Sequence, residues 1–120
     1  MQSNFVVETQ RTGRAVTLAL SGELDLVSSP ILGQALERAN ESDAELLIVD
    51  LRKLEFMDST GLHLLVTAHQ RAHESGRRFA LIRGGDQVQR LFDLSGTAEF
   101  LPIVDSIEAL LEIDQAPGPS

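Results

Sequence analysis

No cysteine, tryptophan or tyrosine occurs anywhere in the 120 residues. Without cysteine there can be no disulfide, no thiolate nucleophile and no cysteine-ligated metal. Aromatic residues make up only 4%, so any core has to be assembled from Leu, Val, Ile and Ala, and the 42% apolar content is sufficient for that. Positive charge is scarce as well. Ten basic residues, of which Lys53 is the one lysine, face eighteen acidic ones, for a formal net charge of −8. A surface of that sign repels phosphate backbones and anionic bilayers, so neither nucleic acid nor membrane is an expected partner. Long apolar runs are missing: none is longer than Leu46 to Val49, far too short to span a bilayer. The opening MQSNFVVETQ lacks a basic segment followed by an apolar one, so no signal peptide is expected and a cytoplasmic location is the default.

What is present alternates between two periodicities. Phe5 to Thr9 and Ala15 to Ser21 read as strands joined by a turn around Thr12-Gly13-Arg14. In the second, Val16, Leu18 and Leu20 point one way while Thr17, Ala19 and Ser21 point the other. A helix is expected to start near Pro30 with Ser28 or Ser29 as its cap, because proline suits a first helical turn. Leu46 to Leu51 (LLIVDL) is almost continuously apolar, as a central strand covered on both faces would be. A helix carrying Leu62, Leu65, Val66, Ala68 and Ala72 follows, then a strand at Phe79 to Ile82. Asp86-Gln87-Val88-Gln89 resembles a capping box opening a helix that ends before Gly96. A strand around Phe100 to Val104 and a second box, Asp105-Ser106-Ile107-Glu108, lead into a closing helix to about Ile113. The Pro- and Gly-rich end reads as a disordered tail over 115–120, leaving 1–114 as the folded part. The expectation is an α/β domain: an N-terminal β-hairpin, then strand-helix units forming a mixed, largely parallel sheet packed with about four helices.

One junction carries more polar chemistry than a helix start needs. FMDSTGLHLLV, Phe56 to Val66, places Asp58, Ser59 and Thr60 before Gly61, where a single capping side chain would suffice. Gly61 in a first turn weakens a helix by about 1 kcal/mol relative to alanine, and its small size leaves the Ser59 hydroxyl open to a visitor. A phosphoryl group on Ser59 would add about −1.5 to −2 charge beside Asp58 on a surface that a partner approaches. Catalytic readings are weaker. His63 follows Ser59 by four residues but falls outside the apolar stripe, and MDSTG is not the Gly-x-Ser-x-Gly elbow of a serine hydrolase. His69 and His73 are four apart, yet AHQRAHE lacks the glutamate of a zinc-protease helix, so His69 reads as a partly buried histidine and no metal or cofactor is expected. Gly84-Gly85, with neither a Walker lysine nor a Gly-x-Gly-x-x-Gly pattern, reads as a tight turn.

SGELD, a proline-started helix, the LIVDL strand and then MDSTGL, in this order and spacing, resemble the STAS domain and more narrowly the bacterial anti-sigma factor antagonists. LIRGGDQVQRLFDLSG and FLPIVDSIEALL extend the resemblance over about Phe5 to Ile113. It implies a regulatory binding protein with no active site of its own. Ser59 would be phosphorylated by an anti-sigma factor that is also a serine kinase, with Thr60 as a second candidate acceptor. The unphosphorylated form would hold that kinase and free a sigma factor, the phosphorylated form would be released, and a PP2C-type phosphatase would restore it. Glu23, Asp25, Asp58, Ser59, Thr60, Gly61 and Leu62 would form the partner-binding surface, and a weak homodimer is compatible with the family. The rival implied by the same resemblance is a STAS subunit of a lipid or anion transport complex, or another STAS-based signalling scaffold. Two positions depart from the family pattern. Thr60 stands where many relatives have serine, and Thr97 where relatives place leucine, from which a small packing change is expected.

Overall fold

The computed structural model describes residues 4–110. Five strands stand in the order β1(Val6–Thr12), β2(Ala15–Leu24), β3(Leu46–Met57), β4(Arg78–Ile82) and β5(Ile103–Val104), side by side as they follow in the chain. β1 and β2 form an antiparallel hairpin, and every later pairing is parallel. Helices α1(Ser29–Glu41), α2(Ser59–Glu74) and α3(Asp86–Ser95) make the connections, with a 3-10 turn at Thr97–Glu99 before β5. A further helix begins at residue 107. This is the mixed, largely parallel sheet expected from the sequence. The end of that last helix and the expected tail over 115–120 lie outside the described residues.

The alternation in β2 has a direct physical reading. Val16, Leu18 and Leu20 are buried, at 4%, 0% and 1% exposure, in one cluster with Leu32, Leu36, Leu65, Val88 and Phe92 from α1, α2 and α3. All three helices therefore cover the same face of the sheet. β3 is apolar without interruption from Leu46 to Val49 because it is covered twice. Leu47, Val49 and Leu51 face the three helices, whereas Leu46 and Ile48 share a second cluster with Ala80, Ile82 and Leu110 of the last helix. Asp50 ends that run, and Arg52 chelates its carboxylate at 2.7 and 3.0 Å, so the partly buried charge is paired.

Several local expectations need correction. β3 does not stop at Leu51 but continues to Met57 through Arg52, Lys53 and Glu55. The extension is held by pairing to β2, with Gly22 opposite Leu54 after one register shift and Leu24 opposite Met57 after a second. Leu54 and Met57 remain buried within it. Because β4 ends at Ile82, opposite Asp50, the ends of β2 and β3 project beyond the rest of the sheet as a two-stranded ledge. The Asp86 box does not form: Gly85 is the N-cap of α3, and Asp86 is its first helical residue. Of the later box, Ser106 is the residue that caps, its hydroxyl accepting from the Ala109 N–H at 3.0 Å. Asp105 instead takes the Arg83 guanidinium at 2.9 Å. β5 has only two residues, and Phe100 lies before it. Thr97 is drawn into the end of α3, where its hydroxyl lies 2.8 Å from that of Ser95.

Arg77 performs a task that no local pattern announces. Its guanidinium donates to the carbonyls of Ala39, Ser42 and Ala44, at 2.7 to 3.2 Å, and so ties the last turn of α1 and the loop after it to the start of β4.

Candidate functional site

The junction singled out in the sequence sits on the projecting ledge. Asp58 leaves β3, and its backbone N–H donates to the Leu24 carbonyl at 3.1 Å, tying the start of α2 to the end of β2. Its side chain is the N-cap: Oδ1 accepts from the N–H groups of Thr60 and Gly61 at 2.9 and 3.2 Å. Asp58 therefore serves as the cap, and Ser59 is released from that duty. Ser59 is the first residue of α2 and is exposed, and among the described residues no hydrogen bond engages its hydroxyl. Asp58→Ala should cost about 1 kcal/mol, the ordinary value of a lost cap, measured as a lower midpoint of urea unfolding with an unchanged slope.

Gly61 requires a different explanation from the one the sequence suggests. It is buried, and a Cβ there would lie 2.6 Å from Leu24 Cγ, 2.7 Å from Leu24 Cδ2 and 2.9 Å from Met57 Cγ. The missing side chain lets the first turn of α2 press onto the ledge, so the glycine serves packing and not exposure of the hydroxyl. Leu62 follows on the same buried side, and Thr60 is half-buried beside it.

Just past the end of the neighbouring strand, Asp25 and Ser28 close a short clasp between β2 and α1. Asp25 Oδ1 accepts from the Val27 N–H, the Ser28 N–H and the Ser28 hydroxyl at 3.0, 3.0 and 3.1 Å. The Ser28 hydroxyl, almost wholly buried, also lies 2.8 Å from the Glu23 carbonyl and 2.9 Å from the Asp25 N–H. The Ser28 N–H bond is the main reason the Asp25 carboxyl is held below the usual carboxylate range; partial burial opposes it, and the Ser28 hydroxyl and Val27 N–H add to it. Ser28 does occupy the N-cap position of α1, but its side chain makes no capping bond because it is spent on the clasp.

Beside the end of β3 stands Gln87, read from the sequence only as part of a capping box. Its amide pairs with both backbone polar groups of Met57: Oε1 accepts from the Met57 N–H and Nε2 donates to the Met57 carbonyl, each at 3.0 Å. The side chain replaces the neighbouring strand that β4 fails to supply there. No periodicity or motif marks such a long-range contact.

The structure thus brings Glu23, Asp25, Asp58, Ser59, Thr60, Gly61 and Leu62 to one end of the sheet. It leaves the histidines elsewhere in role. His63 and His73 are exposed, and His69 is half-buried with its ring 5.7 Å from Phe79 and 6.3 Å from Phe100. Among the described residues no group of three His, Cys, Asp or Glu side chains is placed to hold a metal ion. Likewise, no helix of the described residues is long and apolar enough to cross a membrane.

Known proteins share the fold of this chain. Residues 6–110 match the STAS domain. The anti-sigma F factor antagonist of Paenibacillus polymyxa is 29% identical over 113 residues, covering 92% of this chain and 97% of that protein. Among solved structures, an anti-sigma factor antagonist from Mycobacterium paratuberculosis superposes with a TM-score of 0.84 at 23% identity, over 92% of this chain and 93% of the other. The antagonist SpoIIAA in its unphosphorylated form gives a TM-score of 0.78 at 21% identity, over 94% of this chain and 100% of its own. The phosphorylated form of SpoIIAA, from Bacillus, gives 0.69 at 22% identity, over 90% and 99%.

Proposed function

Because this chain belongs to the STAS domain family, we propose that it is an anti-sigma factor antagonist whose binding is switched at Ser59. In its unmodified form it docks the ledge and the start of α2 on an anti-sigma factor and so frees a sigma factor. The anti-sigma factor is also a serine kinase. It transfers the γ-phosphoryl group of ATP to Ser59 Oγ, the hydroxyl proton being lost and ADP released, and the modified chain dissociates. A PP2C-type phosphatase hydrolyses the phosphoserine and resets the cycle. All of this takes place in the cytoplasm, where sigma factors act, and the chain itself performs no chemistry.

The observation that carries the reading is the hydroxyl of Ser59, exposed and unengaged at the first position of α2 while Asp58 does the capping. A capping serine would have to break its own bonds to reach a kinase; this one has none to break. The division of labour also decides where the phosphoryl charge goes. Two N–H groups of the first turn already belong to Asp58, so a phosphate at Ser59 cannot settle onto them and stands in solvent next to an existing carboxylate. The helix dipole still favours a negative group there, so the fold is not penalised. The switch is a change of surface charge without refolding. The likeness to SpoIIAA, solved in unphosphorylated and phosphorylated forms, supports this reading at the level of the fold.

The test is phosphopeptide mapping after incubation with a purified serine-kinase anti-sigma factor and ATP. One phosphoryl group is expected on the peptide containing Ser59, and none on Ser59→Ala, which should still bind the kinase. Modification elsewhere, or an unmodified wild-type chain in a stable complex with the kinase, would remove the switch.

A further inference from the structure

Beside the Ser59 site the loop between β2 and α1 does something unusual for its length. Leu26 and Val27 are 71% and 72% exposed, and among the described residues they are the only adjacent pair of exposed large apolar side chains. Val6, Ile31, Phe56, Leu94 and Phe100 are also exposed, but none has an exposed large apolar neighbour next to it in the chain. Scattered apolar residues need no explanation, whereas a contiguous pair on a loop tip does.

The loop is not free to fold these side chains inward. The Asp25 carboxylate and the Ser28 hydroxyl clasp it from beneath, the Ser29 N–H donates to the Asp25 carbonyl at 2.8 Å, and the Ser29 hydroxyl donates to the Leu26 carbonyl at 3.1 Å. Its backbone is held by hydrogen bonds while its two apolar side chains are held out in water. Such a tip has already lost the conformational freedom that docking would otherwise remove. Its position is equally constrained. Leu24 is bonded to Asp58 and touches the buried face of Gly61, and Leu26 lies only two residues further on, at most about 8 Å from Leu24 by chain geometry. The tip therefore continues the surface that carries Ser59. Glu23 and Glu55 lie in the ends of β2 and β3, and Asp25 and Asp58 directly follow those strands.

We propose that Leu26 and Val27 are a preorganised apolar anchor that enters a hydrophobic depression on the anti-sigma factor, next to the contact that Ser59 controls. The proposal rests on the reading of this chain as an anti-sigma factor antagonist. It assigns to the anchor the affinity and partner choice that a single serine cannot supply, and leaves Ser59 to turn that affinity on and off.

The probe is the purified serine-kinase anti-sigma factor that binds the Ser59→Ala chain, titrated calorimetrically with wild type, Leu26→Ser/Val27→Ser, Leu26→Met/Val27→Ile and Ser59→Asp. The double serine variant should bind about 30- to 100-fold more weakly, with a less negative heat-capacity change. Its melting temperature should match wild type, since both side chains are solvated in the free protein. The Met/Ile variant, which keeps the apolar area, should restore binding. If the double serine variant binds like wild type while Ser59→Asp is released, the anchor is refuted and the switch stands. If no serine-kinase anti-sigma factor binds any form of the chain, both are refuted.

Discussion

Ser59→Asp is expected to bind the anti-sigma factor about 100-fold more weakly than wild type, equivalent to about 2.7 kcal/mol, because a like charge facing a docked partner costs that order of energy. The substitution puts a carboxylate where the hydroxyl stands exposed, directly after the carboxylate of Asp58. Its effect on the fold should run the other way. An acidic group in the first turn of α2 interacts favourably with the helix dipole, so the melting temperature should hold or rise slightly. Loss of binding with retained stability separates a surface switch from a damaged protein. Salt provides a second discriminator. Raising ionic strength from about 0.1 to 1 M shortens the screening length from about 10 to 3 Å, so part of the lost affinity should return. A steric block would not respond. Equal affinity of Ser59→Asp and wild type at low salt would overturn the charge mechanism.

The second large effect is on stability. Gly61→Val should lower stability by about 3 kcal/mol and the melting temperature by roughly 10 °C, since overpacking a tight core contact costs about 1–3 kcal/mol and a branched side chain adds to it. The atoms in the way belong to Leu24 and Met57, both 0% exposed, so neither can swing aside into solvent. The matched control is Gly33→Ala in α1, where a Cβ would meet nothing within 4 Å. There the helix-propensity gain of up to about 1 kcal/mol should appear without a clash. Opposite signs for two helical glycines, read by thermal unfolding, would establish that Gly61 is a packing requirement. Gly61→Val should also weaken partner binding, because displacing Leu24 disturbs the Asp25 clasp next to it. Neutral stability of Gly61→Val would contradict the close approach.

What could be read in the sequence is what local patterning controls. β2 announced itself through Val16, Leu18 and Leu20 alternating with polar or small residues, and the doubly covered β3 through LLIV. Pro30 and Gly96 punctuated helices α1 and α3 because their backbone preferences are intrinsic. The cluster Asp58-Ser59-Thr60 was visible as an excess of polar groups at a helix start, but which of them capped was not, since aspartate and serine cap about equally well. What escaped the sequence is decided by distant partners. Arg52, Lys53 and Glu55 look like loop residues until β3 is carried on through them to its pairing with the end of β2. Gly61 looks like a device for exposure until Leu24 arrives beneath it. Gln87 looks like a surface glutamine in a capping box until its amide meets Met57. Ser28 was legible as a helix start, but its diversion to Asp25 and Glu23 depends on a loop shape that no period encodes.

The antiparallel hairpin at the chain's beginning has a practical corollary. Its Gly13–Arg14 bend caps the pole of the molecule opposite Ser59, separated from it by the ten residues of β2, or roughly 30 Å. A fluorophore, an affinity handle or a fused reporter placed at that bend would ride on the far side of any docked complex, so occupancy could be followed in living cells without burdening the encounter itself.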